Sequence, residues 1–303
     1  MRTAFVTQLI EEAKSNPKIF LLVGDLGYSV VEPFAEQFPD RFINVGIAEQ
    51  NMAGIAAGLA SEGYIPFIYS IGNFPTLRCM EQIRYLVAYH NRNVKVIAVG
   101  GGYAYGSLGA SHHATEELGM LRTIPNLIVA APGDPEEARL ITKKAIRSES
   151  PFYIRIGKAG EPDVHEESIS SYNIGQPIPI IAGSKAAVLS TGAMLAYCQD
   201  YIRESKLNHS LYSFPIIKPL LSDYLVDLCG KYDQLITVEE HQLSGGFGSA
   251  IVEQINDLYA KKRIKTYPIV RRIGIPDQFC SISGSQKYLR EINNVVLSDQ
   301  PDQ

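Results

Sequence analysis

The stretch FINVGIAEQNMAGIAAGLASEGYIPFIYS, Phe42 to Ser70, decides the fold. From Glu49 to Ser61 it is amphipathic at helical spacing and rich in small residues. Tyr64 to Ser70 (YIPFIYS) is a short apolar run of the kind that suits a strand covered on both faces. Working outward, IFLLVG (Ile19 to Gly24) precedes it, and VKVIAVG (Val94 to Gly100), NLIVAAP (Asn126 to Pro132) and PFYIRIG (Pro151 to Gly157) follow. Between these runs lie two more amphipathic stretches, Thr76 to Asn91 and Asp134 to Glu149. The second opens with Asp134 as N-cap, Pro135 at the first helical position and Glu137 completing a capping box. Such alternation predicts an α/β domain with an open, mostly parallel sheet.

From Lys158 to Gly183 the pattern lapses. KAGEPDVHEESISSYNIGQPIPIIAG is rich in Pro, Gly, Ser and acidic residues and has no sustained period, so it reads as a crossing between domains. Alternation then resumes. Strands are expected in KAAVLST, SLYSFPI, QLITVEE and around Tyr267 to Arg271. Helices are expected near Met194 to Ser205, Ser222 to Lys231, Gly248 to Tyr259 and Ser285 to Asn293. The expectation is two open, mostly parallel-sheet α/β domains, 1–165 and 184–303, with a linker at 166–183.

Composition excludes several classes. The chain has 303 residues, 46% of them hydrophobic and 20% charged, which argues for a folded core over disorder. With 28 Lys+Arg against 32 Asp+Glu, it has no basic footprint for nucleic acid or an anionic membrane. No apolar run approaches the roughly 20 residues needed to span a bilayer. The N-terminal MRTAFVTQLIEEAKSN has no long apolar core before Glu11 and Glu12, so a cytoplasmic protein is expected. Cys79, Cys198, Cys229 and Cys280 lie far apart and form no CxxC pair, so they read as buried thiols.

Generic motifs say little. There is no GxxxxGK[ST], GxGxxG or HExxH. Gly100-Gly101-Gly102 suits either a loop approaching a ligand or a tight turn after a strand. The adjacent His112 and His113 lack a carboxylate pattern that would complete a metal site, and no metal is expected in this chain.

More specific are Gly46-Ile47-Ala48-Glu49-Gln50 with its small-residue helix, SHHATEELGMLRTIPNLIVAAPGDPEEA (Ser111 to Ala138), FPIIKPL (Phe214 to Leu220) and LITVEEHQLSGGFGSAI (Leu235 to Ile251). In this order they resemble the transketolase superfamily of thiamine-diphosphate enzymes, over essentially the whole chain. The resemblance implies a pyrimidine-binding domain followed by a transketolase C-terminal domain. Members that carry every part begin with a diphosphate-binding domain marked by GDG and a downstream Asn. Here only Gly24-Asp25-Leu26 and Gly133-Asp134-Pro135 come near it, without a matching metal motif. The implied partner is therefore a separate N-terminal transketolase subunit that holds the diphosphate and most of the Mg2+ coordination. Together they would form a heterotetramer built on a homodimer.

The resemblance also implies roles. Glu49 matches the glutamate that hydrogen-bonds the cofactor's aminopyrimidine and promotes its imino form. Burial favours a carboxyl that must share a proton, and Ile47, Ala48, Met52 and Ala53 surround it in sequence. A first-turn acid favoured by the helix dipole is the alternative. Phe74, with Tyr69 and Ile71 beside it, is the expected stacking wall for the pyrimidine. His112 matches a histidine that contacts substrate hydroxyls or the carbonyl oxygen. Arg155 matches a phosphate-gripping arginine, with Lys158 assisting, although an arginine pairing with an acid is the competing reading. Asp25 occupies an interface loop near the cofactor, or simply stabilises a turn. His241 falls near the domain interface with no assigned role. Leu108-Gly109-Ala110 stands where the family has Asp-Gly-Pro, a departure that bears on recognition of sugar hydroxyls.

The resemblance thus implies the C-terminal subunit of a two-chain transketolase that moves a two-carbon ketol unit between sugars or sugar phosphates. Competing readings are the beta subunit of a 2-oxoacid dehydrogenase, a deoxyxylulose-phosphate-synthase-like enzyme, and a non-catalytic scaffold.

Overall fold

The computed structural model describes residues 1–298 and contains two sheets. The first is built from β1 (Ile19–Val23), β2 (Phe42–Asn44), β3 (Ile65–Ile71), β4 (Lys95–Val99), β5 (Ile128–Ala130) and β6 (Phe152–Ile156), all parallel. The second contains β7 (Ile178–Ile181), β8 (Ala186–Ser190) and β9 (His209–Ser213), and then β11 (Gln234–Gln242) and β12 (Ile269–Ile275). Its strands are parallel except for β7, which pairs antiparallel with β9. The remaining strand, β10 (Ile216–Lys218), crosses to the first sheet and pairs antiparallel with β5. The two-sheet, mostly parallel α/β fold is the one the alternation predicts.

SLYSFPI is one strand by pattern but two in the structure. Pro215 lacks the N–H that would continue the ladder, and the chain leaves β9 there to begin β10 in the other sheet. The first sheet therefore has order β10-β5-β6-β4-β3-β1-β2 and ties both halves of the chain together.

Strand alternation divides the first sheet's faces. Leu22, Ile68 and Val96 meet Met52, Ala53 and Ala56 of the helix Glu49–Ser61 in one core, which continues into Phe214, Phe247 and Ile251. Phe67, Tyr69 and Ile97 point the other way, against Phe5 and Leu9 of the helix Arg2–Ser15 and Ile141 of the helix Pro135–Arg147. The sequence reading did not anticipate the first of these two helices. Asp134 caps the Pro135–Arg147 helix, its Oδ1 accepting the Glu137 N–H at 2.8 Å. Glu137 reaches back one residue beyond the expected capping box, accepting from Gly133 N–H at 2.6 Å.

Thr76 to Asn91 is helical but not one α-helix. A 3-10 turn at Leu77–Cys79 leads into Met80–Gln82 and then a π-helix, Ile83–Tyr89. Between the sheets, Val164 and Tyr172 of the crossing segment are buried. Asp134 Oδ2 accepts from the N–H groups of Val164 (2.9 Å) and His165 (3.0 Å), which straps that segment to the helix. Among the described residues no helix is long and apolar enough to cross a membrane. Cys79, Cys198 and Cys280 are buried thiols and Cys229 is half-buried.

Candidate functional site

In an open parallel sheet, ligands bind beyond the carboxyl ends of the strands, because the connecting loops open a crevice there. Here the loops after β1, β3 and β4 and the turn after β2 meet at that edge. The turn after β2 places Glu49. Asn44 Oδ1 accepts from Gly46 N–H (3.0 Å) and from Asp25 N–H (3.1 Å), joining this turn to the loop after β1. Gly46 takes φ +68°, a left-handed conformation that glycine adopts without strain. The chain then enters the helix at Glu49, whose side chain is 1% exposed at the positive end of the helix.

The loop after β3 faces it. Arg78 donates from Nη1 to Glu49 Oε2 at 2.8 Å, and its guanidinium carbon lies 4.9 Å from the centre of the Phe74 ring. Phe74 in turn packs on His112 in a T-shaped contact, ring centres 5.4 Å apart at 68°. Glu49, Arg78, Phe74 and His112 form one contiguous row. Ile71 ends β3, and its carbonyl accepts the Phe74 N–H at 2.8 Å. The adjoining Cys79 thiol is pushed up to about 12, mainly by burial and then by Glu49, so it is not a thiolate.

His112 ends a 3-10 turn, Ala110–His112, with Nδ1 3.0 Å from Ser111 Oγ. His113 faces inward against Tyr103, with Nε2 buried and without a partner among the described residues, and burial holds its pKa low. Of the adjacent pair, His112 is the one beside Phe74. Lys158 is exposed, its Nζ 4.8 Å from the ring centre of Tyr105, which itself lies 6.4 Å from His112. Leu108, on the same loop, is 54% exposed.

Two sequence expectations, Tyr69 and Arg155, do not fit this arrangement. Tyr69 is no wall of the crevice: strand alternation turns it to the opposite face, where its ring stacks on Phe5 at 6.1 Å. Arg155 is buried and committed. Its Nη2 donates to the carbonyls of Ala114 (3.1 Å) and Glu240 (2.7 Å), and its Nε lies 3.3 Å from Glu117 Oε1. A Cβ on Gly101 would fall 1.5 Å from that Nε, so the glycine makes room for the guanidinium. Burial raises the Glu117 carboxyl, and Arg155 and Tyr153 pull it back. This is the ion-pair reading of Arg155, not the phosphate grip. Asp25, at φ +53°, uses Oδ1 to accept from Asn44 Nδ2 (3.1 Å) and Tyr28 Oη (3.2 Å), which organises the turn.

His241 also joins domains. Its Nε2 accepts the Gly119 N–H at 3.1 Å, and burial with Arg155 nearby lowers it to about 4, leaving the ring neutral. Glu240 beside it accepts from Tyr103 N–H and Gln286 Nε2, both at 2.8 Å. Asp134, Glu137 and His165 bring potential metal-ligand atoms within 4.8 Å of one another. Both carboxylates already accept backbone N–H groups, and His165 Nε2 lies 3.0 Å from Glu137 Oε1.

Residues 1–160 match the transketolase pyrimidine binding domain, and residues 179–291 match the transketolase C-terminal domain. The chain belongs to the transketolase family. Its match to an apulose-4-phosphate transketolase subunit of Phocaeicola vulgatus is 32% identical, covering 91% of this chain and 88% of that one. A putative transketolase C-terminal section of Methanocaldococcus jannaschii is 33% identical over 92% of this chain and 87% of its own length. Among solved structures, a split gene transketolase described as an inactive beta4 tetramer superposes with a TM-score of 0.84. It is 33% identical and covers 97% of this chain and 93% of its own. Sequence reasoning read the loops that build this crevice only in part, missing Arg78 and also Asn73, whose Nδ2 donates to the Ser111 carbonyl at 3.4 Å. Both stand in SIGNFPTLR beside Phe74, but nothing in their spacing announces which loop they face.

Proposed function

We propose that this chain is the C-terminal subunit of a cytoplasmic two-chain, thiamine-diphosphate-dependent transketolase that transfers a two-carbon ketol unit between sugar substrates. The observation that carries the reading is the row Glu49, Arg78, Phe74 and His112 at the open edge of a pyrimidine-binding-type sheet. An aminopyrimidine needs a carboxyl within reach of its ring nitrogen and an aromatic face to lie against. Glu49 and Phe74 supply both, and a planar cation, the Arg78 guanidinium, already spans the two. The residues present therefore fit this end of the cofactor. Its diphosphate and Mg2+ are assigned to a separate N-terminal subunit, in a heterotetramer built on a homodimer.

Thiamine diphosphate, when bound, supplies the nucleophilic carbon that carries the two-carbon unit. Glu49 holds a proton at the pyrimidine nitrogen, and its burial excludes competing water. Phe74 fixes the ring plane. His112 donates to or accepts from the substrate's oxygens in the same crevice. Lys158, exposed beyond Tyr105, takes over the phosphate contact that Arg155 is too buried to make.

The test is reconstitution. Mixed with the diphosphate-binding subunit, the chain is expected to transfer ketol units from a ketose to an aldose acceptor, and to be inactive alone. Equal activity with and without the partner, or activity only with a 2-oxoacid and a dye acceptor, overturns the reading.

A further inference from the structure

His112 sits on a segment with little structure of its own. The loop between β4 and the helix Glu117–Arg122 has two isolated 3-10 turns, Gly106–Leu108 and Ala110–His112, and five glycines from Gly100 to Gly109. Such a loop does not fix a side chain unless something outside holds it. Below His112 the backbone is anchored where Gly102 and Ala114 exchange hydrogen bonds, N–H to carbonyl at 2.7 and 3.1 Å. Closer to His112, one side chain from the loop after β3 reaches both flanking carbonyls. Asn73 Nδ2 donates to the carbonyl of Ser111 at 3.4 Å and also to the carbonyl of His113. These are the carbonyls immediately before and after His112.

Asn73 is also the residue before Phe74, whose ring meets His112. We infer that Asn73 is a positioning residue, its amide clamping the backbone on both sides of His112 and so fixing the imidazole against Phe74. Both neighbours of the amide are carbonyl oxygens, so only its NH2 side satisfies them. An aspartate of the same size places oxygen against oxygen. Asn73 thereby links the loop after β3, which carries the pyrimidine contacts, to the loop after β4, which carries the substrate contact. This rests on the role proposed for His112, but the geometry can be tested without it.

The first experiment uses the chain itself, with the ring carbons of its histidines labelled for NMR. The His112 signal, assigned by its loss in His112→Gln, should be displaced by the ring current of Phe74. In both Asn73→Ala and Asn73→Asp it is expected to move toward the position of a free histidine, while the signal of buried His241 holds. An unmoved His112 signal overturns the inference. Collective movement of all the histidines also overturns it, because Asn73 would then hold the fold and not this loop.

The second experiment uses the two-chain enzyme. Asn73→Ala is expected to lower kcat/KM about tenfold, the size of a lost hydrogen bond of average strength. Hydrogen exchange at the cofactor's C2, which depends on Glu49, should change far less. In the double variant with His112→Gln the loss should equal that of His112→Gln alone, since Asn73 acts through it. Additive losses overturn the inference. Absence of ketol transfer by the wild-type pair overturns the functional reading instead, and the NMR result still decides the role of Asn73.

Discussion

Arg78 touches both groups assigned to the cofactor's pyrimidine. Its guanidinium donates to Glu49 Oε2 at 2.8 Å while its carbon lies over Phe74 at 4.9 Å, and half of the Arg78 side chain stays in solvent. A pyrimidine that used Glu49 and Phe74 would compete with it. The carboxylate of the pair is buried, but the Arg78 side chain reaches solvent and can swing out to it when a ligand takes its place. Arg78→Ala is expected to tighten thiamine diphosphate binding to the assembled enzyme, read by calorimetry. Weaker binding would make Arg78 a cofactor contact in its own right.

Glu49→Gln should preserve the fold and the complex, since the amide fills the same buried space. It cannot manage the shared proton, so hydrogen–deuterium exchange at C2 is expected to slow by about 10²–10⁴-fold. An unchanged exchange rate would leave Glu49 as a first-turn acid.

Arg155→Ala should act on stability. It strands the buried Glu117 carboxyl and the carbonyls of Ala114 and Glu240. Removing one partner of a buried pair costs about 3–5 kcal/mol, which a denaturant titration resolves. A variant of wild-type stability that discriminates against phosphorylated substrates would restore the phosphate role.

Lys158→Ala should leave stability nearly unchanged, because the side chain is exposed over Tyr105. The Michaelis constant for phosphorylated substrates should rise about ten- to a hundredfold, the size of a lost charge-assisted hydrogen bond, and that for unphosphorylated ones should not. Equal weakening of both would remove the phosphate contact.

His241 should make stability depend on pH. Its folded value, about 4, lies below the ordinary 6.5, so the unfolded chain binds the proton first. The stability it contributes is complete above about pH 6.5 and falls by about 3 kcal/mol as the pH drops toward 4. Burial raises Glu239 to about 7, which acts in the opposite sense between pH 7 and 4.5. Denaturation of His241→Asn beside wild type, from pH 7.5 to 4, reads the contribution of His241 together with its effect on Glu239, 3.8 Å away. The wild-type advantage should shrink on acidification, and an advantage independent of pH would mean that His241 titrates normally.

The sequence by itself determined the architecture and the placing of Glu49. Apolar strand runs alternating with amphipathic helices admit little besides a covered parallel sheet, because period and burial are local properties of the chain. Glu49 follows a strand, a glycine turn and a helix start, all contiguous in sequence. Only the tertiary structure decided which way the other residues face. Tyr69 and Arg155 lie on runs that were read correctly as strands, yet one packs on Phe5 and the other on Glu117. β10 left its own run to complete the first sheet. The charges and donors that organise the crevice, Arg78 on Glu49 and Asn73 on the His112 loop, join positions separated by 29 to 40 residues. No periodicity links residues so far apart, since their meeting is set by how the loops after β3 and β4 pack beyond the sheet.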